Sequence, residues 1–298
     1  MSRLLLSRGA RGALVKKVQK GLGFLGDSVD GGYGPQTTKA VGAFQKKLSM
    51  PETGDVDTDT WGAVTQLPVP SIAERALALT ADFEGHGFEL AQGNFDGAGI
   101  TWGIIGFTLM GGELGKIVQE VQAARPDLVK LAFGDLTPQL LELIDQTFAQ
   151  QLAFADSVSI LPSKARLAEP WRSCFGVFGS MPEVQNVQLR HVRNDYFQPA
   201  LATAGKLNLK TELGVALAFD IHVQNGGVKA PIVTSLQGTT FPSERDLRMA
   251  LANAVADSSN PVFKEDVRSR KMAIATGSGV VHGAGFVLKN WGLDENAV

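Results

Sequence analysis

Two carboxylates twelve residues apart, Glu84 and Asp96, are followed five residues later by the hydroxyl of Thr101. These are the side chains whose types and spacing best suit chemistry. Glycoside hydrolysis needs one protonated carboxyl to donate to the leaving oxygen and one carboxylate to activate water or attack carbon. A nearby threonine hydroxyl can orient that water. Apolar periodicity predicts a helix from about Ile72 to Phe83, with Ile72, Ala76, Leu79 and Phe83 facing inward. Glu84 comes next, then Gly85, a favoured residue just past a helix end. A carboxylate there faces the negative end of the helix dipole and has Phe83 and Phe88 nearby. Both effects disfavour its ionisation, as a general acid requires. Taken alone, Glu84 reads more simply as an exposed glutamate at a fraying helix end.

Asp96 lies in the run Gln92-Gly-Asn94-Phe95-Asp96-Gly-Ala-Gly99-Ile100-Thr101-Trp102-Gly-Ile-Ile-Gly-Phe107. The run begins as a turn-rich loop and passes into a β-like stretch, which puts Asp96 at a loop or strand entry. An ordinary Asp-Gly turn is the plain alternative. The glycines allow close approach of a polymer to the backbone, but no Lys-Ser/Thr follows them, so they form no phosphate loop. Trp102 adjoins Thr101 and is the aromatic residue best placed to stack on a sugar; Trp171 and Trp291 read as core.

Other chemistries find little support. The four histidines His86, His191, His222 and His282 are scattered, and the single Cys174 excludes an internal disulfide and a multi-cysteine metal knuckle. Cys174 sits among apolar neighbours as an inert thiol, and His222 reads as a satisfied helix residue. Asp55, Asp57 and Asp59 have calcium-loop spacing, but Thr60 stands at the sixth position and Gln66 at the twelfth. No metal and no cofactor is expected.

The elements that must position these residues fall into two segments. The 298 residues contain 28 Lys+Arg and 30 Asp+Glu, a net charge of −2, which disfavours a bulk-basic nucleic-acid binder. Residues 1–67 hold 9 basic and 6 acidic residues, +3, leaving 19 and 24, −5, for the rest. The change falls at Leu67-Pro68-Val69-Pro70-Ser71, where two prolines favour extended backbone. The domains are therefore 1–67, a linker at 68–71, and 72–298. In the first, Leu14, Val18 and Leu22 mark one helix. After the Asp30–Pro35 turn a second carries Thr37, Ala40, Val41, Phe44 and Leu48 on one face. After the Thr53–Asp57 turn a third runs from Thr58 to Val64 around Trp61. The turn, glycine, threonine and helix unit occurs twice, as a weak internal repeat. A three-helix bundle without chemistry would explain the pattern equally well.

Particular residues narrow this. Gly9-x-x-Gly12, Val15, Val18-Gln19, Leu22, Asp30-Gly31-x-Tyr33-Gly34-Pro35-x-Thr37-Thr38, Phe44-Gln45 and Thr60-Trp61 resemble the bacterial peptidoglycan-binding domain of the three-helix type over roughly residues 4–65. Asp96-Gly-x-Gly-x-Thr101-x-Gly-Ile-Ile-Gly-Phe107 resembles the signature of family 46 glycoside hydrolases, the chitosanases, in the lysozyme superfamily. Phe83-Glu84-Gly85 followed by Gly93-Asn94-Phe95-Asp96-Gly97 is similar to chitosanase-like catalytic domains of phage endolysins. The resemblance implies a mainly α protein, a three-helix wall-binding bundle plus a mostly helical α+β catalytic domain with a small sheet.

It also implies roles: Glu84 as general acid, Asp96 as general base, Thr101 holding the water, with inversion at the anomeric carbon. Asp195-Tyr-Phe-Gln-Pro-Ala200, Leu217-Ala-Phe-Asp220 and Arg268-Ser-Arg270-Lys resemble later family segments. They imply a network of Asp220 with Arg270, favoured over Arg268, behind the acid. Trp102, Asn94, Tyr33 and Asp30 are the expected sugar contacts.

The Glu84–Asp96 spacing is shorter than in secreted chitosanases, which weakens transfer of chitosan specificity. The expected activity is that of a phage-type endolysin that binds peptidoglycan and cleaves its glycan as an N-acetylmuramidase. A chitosanase with a wall-binding module, or a non-catalytic wall-binding protein, are the alternatives. An amidase or peptidase lacks the necessary residues. Monomeric state and no stable membrane insertion are expected, since no run reaches the roughly 18 apolar residues of a span. Three leucines between arginines are too few for a signal peptide, so the expected route is accumulation in the host cytoplasm and release to the wall through a membrane pore.

Overall fold

The structure is a computed structural model that describes residues 2–85 and 87–298; His86 lies outside the described residues. Helix accounts for 60% of it, with small sheets, as expected for a helical binding domain plus an α+β hydrolase domain. Packing divides the chain into two compact units, Met1–Phe83 with Asp195–Val298, and Glu84–Asn194.

Within the first unit, helices α1 (Ala13–Gly21), α2 (Pro35–Lys47) and α3 (Thr58–Thr65) occupy the positions that periodicity indicated. A strand at Leu4–Leu6, paired antiparallel with Val56–Asp57, carries no alternating pattern and was not foreseen. The inner face of α2 also differs from expectation. Thr37, Val41 and Gln45 are buried, whereas Ala40 and Phe44 are half-buried and Leu48 is 48% exposed. The reason is Gln45, whose amide the chain uses internally. Its Nε2 donates to the Asp55 carbonyl (2.7 Å) and Thr60 Oγ1 (3.1 Å), and its Oε1 accepts from Gly54 N–H (2.9 Å). Gln19 does the same one repeat earlier. It donates to Asp30 Oδ1 (2.7 Å) and Thr37 Oγ1 (3.2 Å) and accepts from Gly31 N–H (2.8 Å). The twofold sequence unit is thus a buried glutamine closing a glycine turn, twice, since a buried amide must find partners. Asp57 caps α3 by accepting from Thr60 N–H (2.8 Å), which explains one member of the Asp55–Asp59 series.

This bundle is part of a larger packed unit. The Pro68 carbonyl accepts from Trp61 Nε1 (2.9 Å), and after residues 68–71 comes α4 (Ile72–Glu84). From residue 75 onward α4 is buried nearly all round rather than on one face. Arg11 grips Asp82 through two nitrogens (3.0 and 2.9 Å) and lies over the Phe286 ring. Ser7 N–H donates to the Asn290 carbonyl (3.1 Å). Gly292, at φ +67°, lies so close to the N-terminal strand that a Cβ there would be 2.9 Å from the Leu5 carbonyl. Beneath these contacts the buried Glu212 is shared by Arg75 (2.8 Å) and Arg3. Burial works to raise the Glu212 pKa, and the hydrogen bonds from Arg3 and Arg75 outweigh it and hold the carboxyl below its ordinary value. Glu212 begins the helix Glu212–Asn225, buried continuously from Glu212 to Ile221. Such a helix must be apolar all round, and it is the centre of this unit.

Among its described residues, the second unit combines six helices of 8 to 12 residues with a five-stranded antiparallel sheet of two-residue strands. The spatial order is Phe107–Thr108, Thr101–Trp102, Ala91–Gln92, Arg166–Leu167, Ser159–Ile160. Directly opposed residues share a sheet face. One face carries Phe107, Trp102, Ala91, Leu167 and Ser159, all buried. Beneath that face Trp102, Phe133, Trp171, Phe175 and Phe178 pack ring against ring.

Because Glu212 is buried with its partners, Glu212→Ala should destabilise the protein by about 3–5 kcal/mol, leaving Arg75 uncompensated. Chemical denaturation of the full chain measures this. Removal of residues 1–67 should lower the melting temperature of the remaining chain, since it strips Arg3, Leu5 and Arg11 from that unit.

Candidate active site

Glu84 is the last residue of α4, half-buried, and Gly85 adopts φ +65° directly after it, the left-handed helix stop that the sequence indicated. About one turn back on the same helix stands a buried anchor. Thr80 Oγ1 donates to Asp220 Oδ1 (3.0 Å), and Asp220 is 0% exposed. Arg270 closes on that carboxylate through Nε (3.0 Å) and Nη2 (2.7 Å), and Lys271 Nζ reaches Oδ2 (2.5 Å). The Arg270 guanidinium lies 5.1 Å from the centroid of the Phe83 ring. Burial by itself would raise the Asp220 pKa. The charges of Arg270 and Lys271 dominate and hold the carboxyl well below the ordinary carboxylate range. The last turn of α4 is thereby tied, through Thr80 and Phe83, to a fixed ionic cluster.

Of the two arginines expected for this network, Arg270 is in it and Arg268 is not. Arg268 binds Asp257 (2.7 Å) and Asn253 (2.6 Å) in a solvent-facing cluster on its own side of the helix Lys264–Thr276. Two residues apart is about 200° around a helix, so both arginines could not serve one buried partner. Lys271 was not anticipated. Its only sequence signal is its place beside Arg270 in the basic run.

Asp96 is exposed on the loop ahead of the Thr101 strand, and its Oδ1 accepts from Ala98 N–H (3.0 Å). Gly97 and Gly99 take φ +87° and +79°, which lets the loop fold back on itself. Asn94 holds it in shape. The Asn94 N–H donates to Ser159 Oγ (2.8 Å), its Nδ2 donates to Asp156 Oδ1 (2.7 Å), and its Oδ1 accepts from Gly99 N–H (3.0 Å). Thr101 opens the next strand on the face opposite the aromatic core, paired with Gln92 and Thr108. It is 6% exposed, and its Oγ1 is buried without a hydrogen-bond partner among the described residues. An orphaned buried hydroxyl costs about 1–3 kcal/mol, so it calls for a water or substrate atom.

Three expected sugar contacts are corrected. Trp102 is 0% exposed, stacks on Phe178 at 5.3 Å and donates Nε1 to the Phe175 carbonyl (3.0 Å); strand alternation turns it to the core while Thr101 faces away. Asn94 is buried and its amide is occupied by Asp156 and by Gly99 N–H. Tyr33 is buried, with its hydroxyl donating to the Gly54 carbonyl (2.8 Å). Burial pushes the Tyr33 phenol well above its ordinary value. Asp30 is exposed, although its Oδ1 also accepts from Gln19 and Gly32, bonds that lower its pKa. His222 bonds Thr203 (2.9 Å), with its pKa lowered by burial. Cys174 is half-buried, and burial raises its thiol pKa.

A family profile described as glycosyl hydrolase family 46 matches residues 80–246, and one described as a peptidoglycan binding domain matches residues 11–64. Among solved structures, the chain is similar to a family 46 chitosanase from Gynuella sunshinyii complexed with chitotetraose. The two share 20% identity with a TM-score of 0.51, over 74% of this chain and 98% of that one. It is also similar to the native chitosanase of Bacillus subtilis MY002, at 21% identity and TM-score 0.50, over 68% of this chain and 85% of that one. At these identities the likeness is one of fold. No curated protein matches the chain.

Asp220→Asn should cost about 3–5 kcal/mol by leaving Arg270 and Lys271 without their counter-charge. The native carboxyl ionises below its ordinary value of 3.8, so its stabilisation is complete above that pH and declines as pH falls below it. The stability gap between wild type and Asp220→Asn should therefore narrow below about pH 4 in acid-denaturation curves.

Proposed function

The chain belongs to glycosyl hydrolase family 46, and from that premise we propose that it is an endolysin-type N-acetylmuramidase that binds peptidoglycan and cleaves its β-1,4 glycan with inversion. Glu84 donates its proton to the glycosidic oxygen as the bond from anomeric carbon to that oxygen breaks. Asp96 takes a proton from a water molecule whose oxygen attacks the same carbon from the opposite face. Thr101 orients that water through its hydroxyl. The product carries the new hydroxyl in inverted configuration, and the two carboxyl groups exchange protonation states before the next turnover. An inverting enzyme separates its carboxyls by about 6.5–9.5 Å to admit the water.

The observation that carries this reading is the buried Thr101 hydroxyl, without a partner among the described residues, at the end of the braced Asp96 loop. The peptidoglycan-binding domain supports the wall as substrate, because attachment to the polymer raises the local concentration of the hydrolase on it. A lytic role in a phage, with accumulation in the host cytoplasm and release through a membrane pore, completes the proposal. Chitosan hydrolysis is the second reading, favoured by fold similarity to a chitosanase solved with chitotetraose.

Mass spectrometry of digested sacculi tests the bond: products with muramic acid at the reducing end support the muramidase, and glucosamine or 1,6-anhydro ends reject it. Glu84→Gln should reduce turnover by about 10²–10⁴-fold while sacculus binding persists, measured by pelleting and by lysis of permeabilised cells. An unchanged lytic rate would remove Glu84 as the acid. Thr101→Val should lower kcat with little change in KM, since the lost hydroxyl acts on the water and not on the sugar.

A further inference from the structure

The side of the sheet opposite the aromatic core in the second unit carries more than the Thr101 hydroxyl. Cross-strand register aligns Thr108, Thr101, Gln92, Arg166 and Ile160 in one row, because each is directly opposed to the next. Directly opposed residues of antiparallel strands project to the same face. The other face is the aromatic core, so this row looks away from it.

Thr108 is occupied by Glu113 (3.2 Å). Gln92 and Arg166 are not occupied: among the described residues, neither the Gln92 amide nor the Arg166 guanidinium has a hydrogen-bond or ion-pair partner. Arg166 is exposed, while the neighbouring cation Lys164 is already paired with Asp156 (2.6 Å). Adjacent strands are about 4.8 Å apart, so the Arg166 backbone lies roughly 10 Å from that of Thr101, with Gln92 midway. Phe95 on the Asp96 loop is 49% exposed and Ile160 at the end of the row is 40% exposed, apolar surfaces that a sugar ring can cover.

We propose that Gln92 and Arg166 extend the Asp96–Thr101 site across the sheet as a subsite for an anionic glycan, with Arg166 receiving a substrate carboxylate. This rests on the wall-hydrolase reading and deepens it. A wall glycan bears a lactyl ether on alternate sugars, ending in a carboxyl or in a peptide that carries carboxylates. A planar guanidinium binds carboxylate through two parallel hydrogen bonds. Chitosan instead carries ammonium groups, which the same guanidinium repels. Arg166 therefore acts as a specificity determinant, attracting the anionic polymer and disfavouring the cationic one. Gln92, between it and Thr101, supplies both a donor and an acceptor to the intervening sugar.

The test is steady-state kinetics of the full chain on soluble, uncrosslinked peptidoglycan strands and on glucosamine oligomers, for wild type, Arg166→Glu and Arg166→Lys. Arg166→Glu should raise KM on peptidoglycan strands about tenfold at unchanged kcat, lower KM on glucosamine oligomers, and leave the melting temperature unaltered. Arg166→Lys should recover part of the affinity, more at low salt than at high. Unchanged KM on both substrates in Arg166→Glu overturns the subsite. If the wild type cleaves only glucosamine oligomers, the wall reading fails separately. The subsite is then judged on those oligomers alone: a KM lowered by Arg166→Glu keeps Arg166 in the cleft, and an unchanged one removes it.

Discussion

A carboxylate cannot be taken wholly out of water without opposite charge around it, and Asp220 shows what that requirement demands of the rest of its unit. Burial on an all-round apolar helix obliges Arg270, Lys271 and Thr80 to converge on it. Those partners come from the helix Lys264–Thr276 and from α4, so three helices are held in register by one pair of oxygens. The arrangement is demanding in direction as well as charge: the forked guanidinium, the ammonium and the hydroxyl approach from different sides. A buried ion pair of this kind adds little net stability compared with apolar packing, but it tolerates few alternatives in geometry. What it fixes here is the final turn of α4, the turn that ends in Glu84.

The sheet of the other unit works by a different constraint. Its strands are only two residues long, so it has little hydrogen bonding of its own and depends on what packs on each face. One face is secured by a cluster of tryptophan and phenylalanine rings. The opposite face is then free to carry polar side chains whose bonding capacity the fold does not use. Adjacent residues Thr101 and Trp102 illustrate the division: one is core, the other has an orphaned hydroxyl, and a single peptide bond separates them. The loop carrying Asp96 obtains its rigidity from Asn94, a residue that would look like a ligand-binding amide if its neighbours were unknown.

The N-terminal bundle repeats one device, a buried glutamine that closes a glycine turn, and it is packed into the same unit as α4 and the C-terminal helices. Arg3, Arg11 and Gly292 make that packing specific through charge and through backbone contact too close for a side chain. A wall-binding domain in this setting is a structural part of its unit, unlike a module on a flexible tether. The Pro68–Ser71 segment is short and tied by Trp61 at its start, consistent with that integration.

Local order was readable from the sequence alone: helices marked by Leu14–Leu22 and by Thr37–Leu48, one from Thr58 to Val64 and one from about Ile72 to Phe83, the glycine stop after Glu84, and the turn before the Thr101 strand. These follow from near-neighbour chemistry, namely apolar period, caps and glycine conformations, which a linear string records. The same string marked Glu84, Asp96 and Thr101 by motif, and separated Arg270 from Arg268 only by preference.

What the string could not supply was direction and partnership. Trp102 next to Thr101 suggested a sugar platform until strand parity turned it inward. Leu48 matched the helical period of α2 until the internal bonding of Gln45 rotated the buried face away from it. Lys271 and Arg166 look like neighbouring surface cations in sequence. Only long-range packing decides that the first is sealed against Asp220, fifty-one residues away, and that the second stands unpaired in line with Thr101. Burial and cross-strand register are properties of contacts between distant residues, and they determine which polar groups the fold consumes and which it leaves for a ligand.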